Sequence, residues 1–312
     1  MGYYHLLLMT STLPFVSVII PVYNEAENIQ KCLNAVTSQT YPKSKYEVLV
    51  VDNGSQDGTK EIARQFSTAY DNLEILIEDE QQGSYAARNT GIEQSSGAIL
   101  AFLDGDCSPH QQWLERGVST ISGTGVDLVG GNVEFTYPNG GTAAERYDSF
   151  TNMQMKESIS KRNVAKTVNL FVRQDVVEDV GPFPNHLISG GDVHWTKRAT
   201  DAGYSLTFAH DAIGCHPARP FGELLKKQFR VGKGQIQVWM LDRISLRRVF
   251  ALALWILVGF LPKPPHYLSQ DLRRTGQTVT KAMFVRILVV AWCCRLAENA
   301  GRLSYILRSE EQ

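Results

Sequence analysis

Ala98-Ile99-Leu100-Ala101-Phe102-Leu103-Asp104-Gly105-Asp106 is an apolar run that closes on two carboxylates one residue apart. A short continuous apolar run bounded by a turn signal reads as a buried strand, here Ala98–Leu103. Its open end would deliver two hard oxygen ligands, a set that suits Mg2+ or Mn2+ and lets the ion bridge to substrate phosphates. An acidic turn after a strand has the same composition, so the weight of the triplet depends on its surroundings. Working outward, Val16–Ile20, Tyr46–Val51 and Leu73–Ile77 are further β-branched or apolar runs. Between them, Asn28–Ser38, Thr59–Ala69 and Tyr85–Gln94 carry helical periodicity, as in Ile29, Cys32, Leu33 and Val36. Strands alternating with helices predict an α/β fold with a parallel sheet and helices on both faces.

In such sheets ligands gather beyond the carboxyl ends of the strands. Three polar clusters fall there: Tyr23-Asn24-Glu25, Asp52-Asn53-Gly54-Ser55 and Asp104-Gly105-Asp106. Their common placement points to one site. Asp52 has the chemistry to accept hydrogen bonds from a nucleobase or ribose. Asx turns and helix caps use the same residue types, which would equally suit Asp57 and Thr59.

Beyond Asp127 the pattern loosens. Asp127–Phe135 and Thr167–Arg173 read as strands and Thr142–Ser158 as one long helix. Asp192–Ala202 reads as a helix stopping at Gly203, and Ser205–Phe208 as a short strand. His210–Pro220 is expected to be irregular.

Val16-Ser17-Val18-Ile19-Ile20-Pro21-Val22-Tyr23-Asn24-Glu25, Val50-Val51-Asp52-Asn53-Gly54-Ser55, Ala87-Arg88-Asn89-Thr90-Gly91 and Phe102-Leu103-Asp104-Gly105-Asp106 follow one another in this order. Together they resemble the large inverting glycosyltransferase family two, of the GT-A fold. The likeness is strongest over residues 15–110 and extends to about residue 216. It implies that Pro21, Tyr23 and Glu25 line a nucleoside pocket, that Asp52 faces the base, usually uracil, and that Arg88 stands beside it. Asp104 would approach ribose and metal, and Asp106 would hold Mg2+ or Mn2+ against the donor diphosphate. Family members carry a later acidic motif, commonly Glu-Asp, whose Asp is the general base. Ser189-Gly190-Gly191-Asp192 stands at that place, with Gly191 where Glu is usual. Asp192 is then the expected base, because a sugar hydroxyl must lose its proton as it attacks the anomeric carbon. The rival reading of Asp192 is a helix cap. His216 is expected as a further metal ligand, with His194 and His210 as competitors.

Composition allows a large buried core, with 43% hydrophobic and 20% charged residues among 312. The net charge of −1 hides an asymmetry: residues 1–216 carry −11 and residues 217–312 carry +10. The basic third suggests an anionic partner, or packing on the acidic domain. The five cysteines fit no zinc or disulfide pattern, so a reducing cytoplasm is expected. Met1–Leu13 lacks the features of a secretory signal. There is no G-x-G-x-x-G after the first strand and no P-loop, which speaks against dehydrogenases and P-loop NTPases.

The expected organisation is an extension over 1–14, a GT-A domain over 15–220 and a basic, apolar helical region over 221–312. Val249–Leu261 and Ala282–Ala297 are too short or too broken to span a bilayer, which takes ~20 residues. They fit helices lying in the interface, at the cytoplasmic face of a membrane, or else core helices. Lys226, Lys227, Arg230 and Lys233 in Leu224–Gly234 resemble a basic helix closing over the donor. The expected partners are a nucleotide-sugar donor, a UDP-sugar by expectation, and a saccharide or lipid-linked acceptor in surface polysaccharide or glycolipid synthesis. Nucleic acid is not expected. The competing readings are a sugar-phosphate nucleotidyltransferase and a non-catalytic nucleotide-sugar-binding assembly protein.

Overall fold

The computed structural model describes residues 13–241 and 246–309. Most of the expected 1–14 extension lies outside the described residues. The sheet has eight strands: β1 (Val16–Val22), β2 (Tyr46–Asp52), β3 (Leu73–Ile77), β4 (Ile99–Leu103), β5 (Ser108–Pro109), β6 (Leu128–Thr136), β7 (Asn169–Arg173) and β8 (Leu206–Pro217). Their order is β3-β2-β1-β4-β7-β6-β8-β5. β1 pairs in parallel with β2 and β4, β2 with β3, and β6 with β8, while β7 runs antiparallel between β4 and β6 and β5 runs antiparallel to β8. The sheet is therefore mostly parallel, with two reversed strands that the sequence pattern does not announce.

β1, β2 and β4 are almost wholly buried because helices cover them: α1 (Ile29–Thr37), α2 (Thr59–Ala69) and α3 (Ser84–Gln94). Burial on both faces is why these strands read as continuous apolar runs rather than alternating ones. α4 (Trp113–Thr124) packs on β6 and β8, and the Trp113 ring lies 4.9 Å from that of Phe171.

Two expectations are corrected here. The helix expected over Thr142–Ser158 is two helices, α5 (Ala143–Thr151) and α6 (Met155–Arg162). α5 opens on a Thr142/Glu145 capping box, and the chain leaves it through extended Asn152 and Met153 at φ +53°, a left-handed conformation that no helix continues through. The stretch after Ser205 is not a short strand and a coil. β8 continues to Pro217 and stays paired with β6, but its register shifts between Gly131 and Asn132, so that Gly131 faces Ala209 and Asn132 faces Ile213. His210, Asp211 and Ala212 form the bulge. Buried Asn169 fills it, donating from Nδ2 to the carbonyls of Asn132 (2.8 Å) and Ala212 (2.9 Å) and accepting from Trp113 Nε1 (2.8 Å). Beyond the bulge, side chains alternate again, and His216 points into the protein with no exposed surface.

The remaining helices are α7 (Gln174–Val180), α8 (Gly191–Asp201), α9 (Phe221–Met240), α10 (Leu246–Gly259), α11 (Pro265–Arg274) and α12 (Lys281–Ser309). α12 crosses α9 with backbone against backbone. A Cβ on Gly232 would stand 1.9 Å from the Glu298 carbonyl oxygen, and one on Gly301 2.0 Å from that of Phe229. A second, smaller core joins α5, α9, α11 and α12 through Phe150, Leu224, Leu268, Leu272 and Ile287. The C-terminal helices thus buttress α5 and α9, the two helices that bring charged side chains to the strand ends.

Candidate active site

The loops after β1 and β2 are stitched together by their own polar residues. Asn24, at φ +53°, donates its N–H to Ser55 Oγ (2.9 Å), and its Oδ1 accepts from Gln56 N–H (2.8 Å). Glu25 N–H donates to Thr59 Oγ1 (2.8 Å) and Ala26 N–H to Asp57 Oδ2 (3.1 Å). Asp57 thus serves the turn, as its residue type allowed. Asp52 is different. It is 1% exposed, and its Oδ2 takes Ser55 N–H at 3.2 Å with Lys60 Nζ 3.5 Å away. Its Oδ1 is buried without a hydrogen-bond partner. A buried carboxylate oxygen left unpaired is costly, so its place in the fold calls for a donor from a ligand.

The Asp104-Gly105-Asp106 turn passes so close to β1 that a Cβ on Gly105 would lie 2.8 Å from Val22 Cγ1. Gly105 therefore permits the two carboxylates to diverge. Asp104 Oδ1 receives Arg88 Nη2 at 2.6 Å, and Arg88, 4% exposed on α3, stands 5.7 Å over the Tyr85 ring. Asp106 turns the other way, to His216 (Nε2–Oδ2 3.2 Å) and Arg219 (Nη2–Oδ2 3.6 Å). Asp104 and Asp106 are therefore not seated on one common partner. Glu25 lies beside both: its carboxyl is pushed up to about 7 by burial and by the Asp106 and Asp104 charges, against the lowering effect of Asn28 and Arg219. Pro21 backs this turn, and Tyr23 is half exposed at the strand end.

His216 Nδ1 donates to the Pro217 carbonyl (2.6 Å), which leaves Nε2 aimed at Asp106 Oδ2 and at Arg219 Nη2 (3.0 Å). Nε2 and Oδ2 stand 3.2 Å apart, and the Arg219 guanidinium lies against both, so a bound cation would share them with Arg219 or displace it. Burial opposes ionisation of Asp106, but His216 and Arg219 outweigh it and hold the carboxyl well below the usual range. An oxygen and an imidazole nitrogen so placed fit Mg2+ or Mn2+, with nitrogen favouring Mn2+. Cys107 is near enough to join them, yet burial and the Asp106 and Asp104 charges push its thiol well up, so it stays protonated.

A charged group surrounds this pair, of which sequence reading named Lys227 but not Asp148, Lys166 or Arg219. Asp148 on α5 is fully buried, and its carboxyl is lowered from its ordinary value: burial opposes this, but Lys227 (3.4 Å) and Arg219 (3.6 Å) prevail. Arg219 also donates its backbone N–H to Asp148 (3.0 Å). Lys227 on α9 is drawn down to about 7 by burial and by Arg219. Burial likewise lowers the Lys166 ammonium, whose nearest stabilising charge is Asp192. Asp148 is buried on α5 beside Tyr147 and Phe150, as are Glu145 and Ser149, and nothing in the sequence sets it apart from them.

Asp192 opens α8 after left-handed Gly190 (φ +84°), and its Oδ1 accepts from Val193 N–H (2.9 Å). Tyr85 Oη reaches the same oxygen at 3.4 Å and accepts Gly191 N–H at 2.8 Å. A chain of contacts thus links Asp192, Tyr85, Arg88 and Asp104. The glycine at 191 has a steric cause: a Cβ there would meet the Tyr85 ring at 2.8 Å. Gly191→Ala is expected to destabilise the protein by roughly 1–3 kcal/mol, the range for overpacking a filled site. A thermal unfolding midpoint equal to wild type would show that the ring yields freely. His210, a competing metal candidate, is exposed on the bulge and pairs with Asp211.

With this geometry in view, the comparisons are informative. Residues 17–180 match the model described as glycosyl transferase family 2. The chain belongs to glycosyl transferase family 2. Among curated relatives, the glycosyltransferase GlyA of Streptococcus pneumoniae serotype 4 is 38% identical over 117 residues, which is 38% of this chain and 16% of that protein. The putative teichuronic acid biosynthesis glycosyltransferase TuaG of Bacillus subtilis is 34% identical over 108 residues, 35% of this chain and 42% of that one. The matched part of this chain thus spans less than half the length of either. Two solved structures share the fold over nearly the whole chain. Mannosyltransferase PcManGT from Pyrobaculum calidifontis, in complex with GDP-Man and Mn2+, has a TM-score of 0.64 at 21% identity, covering 94% of this chain and 88% of that one. S. aureus TarS 1-349 in complex with UDP-GlcNAc has a TM-score of 0.55 at 19% identity, covering 96% and 92%. The GT-A architecture expected from the sequence is therefore the architecture of this family 2 chain.

Proposed function

We propose that the protein transfers a sugar from a nucleoside diphosphate sugar, a UDP-sugar by preference, to a hydroxyl of a saccharide or lipid-linked acceptor, with inversion at the anomeric carbon. The setting is surface polysaccharide or glycolipid synthesis at the cytoplasmic face of a membrane. The observation that carries this reading is the row of acids at adjacent parallel strand ends, Asp52 with its unpaired Oδ1 and Asp106 facing His216.

Each residue then has a task. Asp52 accepts from the base, and Tyr23 and Pro21 flank it while Glu25 backs the turn. Arg88 fixes Asp104 toward the ribose. Asp106 and His216 would hold Mg2+ or Mn2+, which offsets charge on the departing diphosphate. Arg219 and Lys227 add positive charge on that side. Asp192 takes the proton from the acceptor hydroxyl while the hydroxyl oxygen forms the new bond to the anomeric carbon. The bond from that carbon to the phosphate oxygen breaks, and the nucleoside diphosphate leaves from the opposite face. A single displacement of this kind inverts the centre.

A panel of nucleotide sugars, each with Mn2+ or Mg2+ and with mixed saccharide acceptors, tests the proposal. Release of nucleoside diphosphate from a UDP-sugar, abolished by chelator, is expected. Binding of donors without any turnover across the panel would favour an assembly protein instead, and pyrophosphate release would favour a nucleotidyltransferase.

A further inference from the structure

The face that α10 and α12 turn to solvent is an apolar band. Phe250, Leu254, Leu257 and Leu261 recur at i, i+4, i+7 and i+11, one stripe along and just beyond α10. Phe250 is 74% exposed, Leu257 67% and Leu261 60%. Val285, Val289 and Trp292 form a similar exposed stripe on α12. Two hydrogen bonds set the stripes side by side: Trp292 Nε1 to the Phe260 carbonyl (3.0 Å) and Arg295 Nη2 to the Val258 carbonyl (2.8 Å). An exposed band of this kind marks an interaction surface.

From Leu246 to Leu296 the sequence has eight Lys and Arg and a single acid, Asp271. Arg274 neutralises that acid at 3.1 Å. Beside the band, a cavity of about 550 Å3 is lined by Lys263, Tyr267, Arg295 and the Arg274-paired Asp271 together with Val258 and Leu268. Cationic and phenolic groups mixed with aliphatic ones suit an amphiphile at its polar–apolar junction. Tyr147 of α5 also lines the cavity, and its neighbour Asp148 belongs to the basic network of the candidate active site. One helix therefore separates the two.

We infer that this band docks the protein on an anionic lipid bilayer, with α10 and α12 lying in the interface and the cavity admitting one lipid of that layer. No described helix is long and apolar enough to cross a membrane, which agrees with helices lying in its plane. Lys263 and Arg295 in the cavity and exposed Arg286 beside Val285 favour anionic headgroups over a second copy of this chain, which would bring the same cations to the contact. The inference deepens the acceptor reading above and rests on it only for what the lipid does; docking itself needs neither donor nor turnover.

Sedimentation of the full chain with phosphatidylcholine vesicles, alone or mixed with phosphatidylglycerol, tests it. The protein is expected to pellet with the mixed vesicles at low salt. High salt should release only part of it, because salt screens the charges and leaves apolar insertion intact. Leu257→Glu, at an exposed position where the fold tolerates charge, should abolish the salt-resistant fraction. Lys263→Glu should weaken binding to the mixed vesicles roughly tenfold or more and leave binding to phosphatidylcholine unchanged. Circular dichroism and UDP binding serve as controls for folding. Wild type remaining in the supernatant with mixed vesicles at low salt, or Leu257→Glu pelleting as wild type does, overturns the inference. A concentration-dependent dimer broken by Leu257→Glu, without vesicle binding, would reassign the band to a second copy. Vesicle binding as described with a silent donor panel would leave docking standing and sink only the proposed reaction.

Discussion

Asp106→Asn is expected to lower sugar transfer by about 10³-fold and to remove its response to Mg2+ and Mn2+. The amide keeps the size of the carboxylate and one acceptor oxygen, but it brings no charge to the 3.2 Å gap facing His216 Nε2. Arg219 keeps its pairing with buried Asp148, so the fold should survive. Initial rates with added metal and with chelator, on protein checked by circular dichroism, decide the matter. Full activity of the variant in chelator would remove Asp106 from the cation site.

Asp192→Asn should separate binding from chemistry. The helix cap expected as the rival role is not seen, because Gly190 occupies the N-cap of α8 and no side chain caps it. Asparagine keeps the size of Asp192, and its Oδ1 can still accept from Val193 N–H and Tyr85 Oη. What it cannot do is take a proton. Donor affinity, measured by calorimetry, should stay near wild type while transfer falls by ~10²-fold or more. Transfer at the wild-type rate would show that Asp192 serves only the local hydrogen bonds with Val193 and Tyr85.

The first half of the chain was legible because burial on both faces writes itself plainly. Ala98–Leu103 is apolar without interruption, Val16–Ile20 and Tyr46–Val51 are interrupted only by Ser17 and Glu47, and Asp104 and Asp52 directly follow the first and third of these runs. The second half encodes its fold in contacts between distant residues. The break between α5 and α6 depends on Met153 in a left-handed conformation, which methionine does not signal. The bulge at His210–Ala212 is stabilised by Asn169 and Trp113 from other strands and helices. Without it, the stretch looks like coil, although it sets the phase that turns His216 inward.

The candidate site divides in the same way. Asp52, Asp104, Asp106 and Asp192 stood out as acids at the ends of elements. Tyr85, Asp148, Lys166 and Arg219 did not, because their roles depend on partners far away in sequence. The glycine at 191 looked like a lost acid, and its reason is the ring of Tyr85, 106 residues earlier. In α12 periodicity alone could not say which apolar residues face inward. Ile287 and Cys294 are buried, while Val285, Val289 and Trp292 face out.

The central claim is that Asp52 and the Asp106–His216 pair hold the two ends of one nucleoside diphosphate. A crystal structure of the protein with UDP and Mn2+ tests it most directly. Uracil is expected against Asp52, with Tyr23 beside it, and Mn2+ in contact with Asp106 and His216. UDP bound away from the ends of β1, β2 and β4, or Mn2+ on other residues, would contradict it.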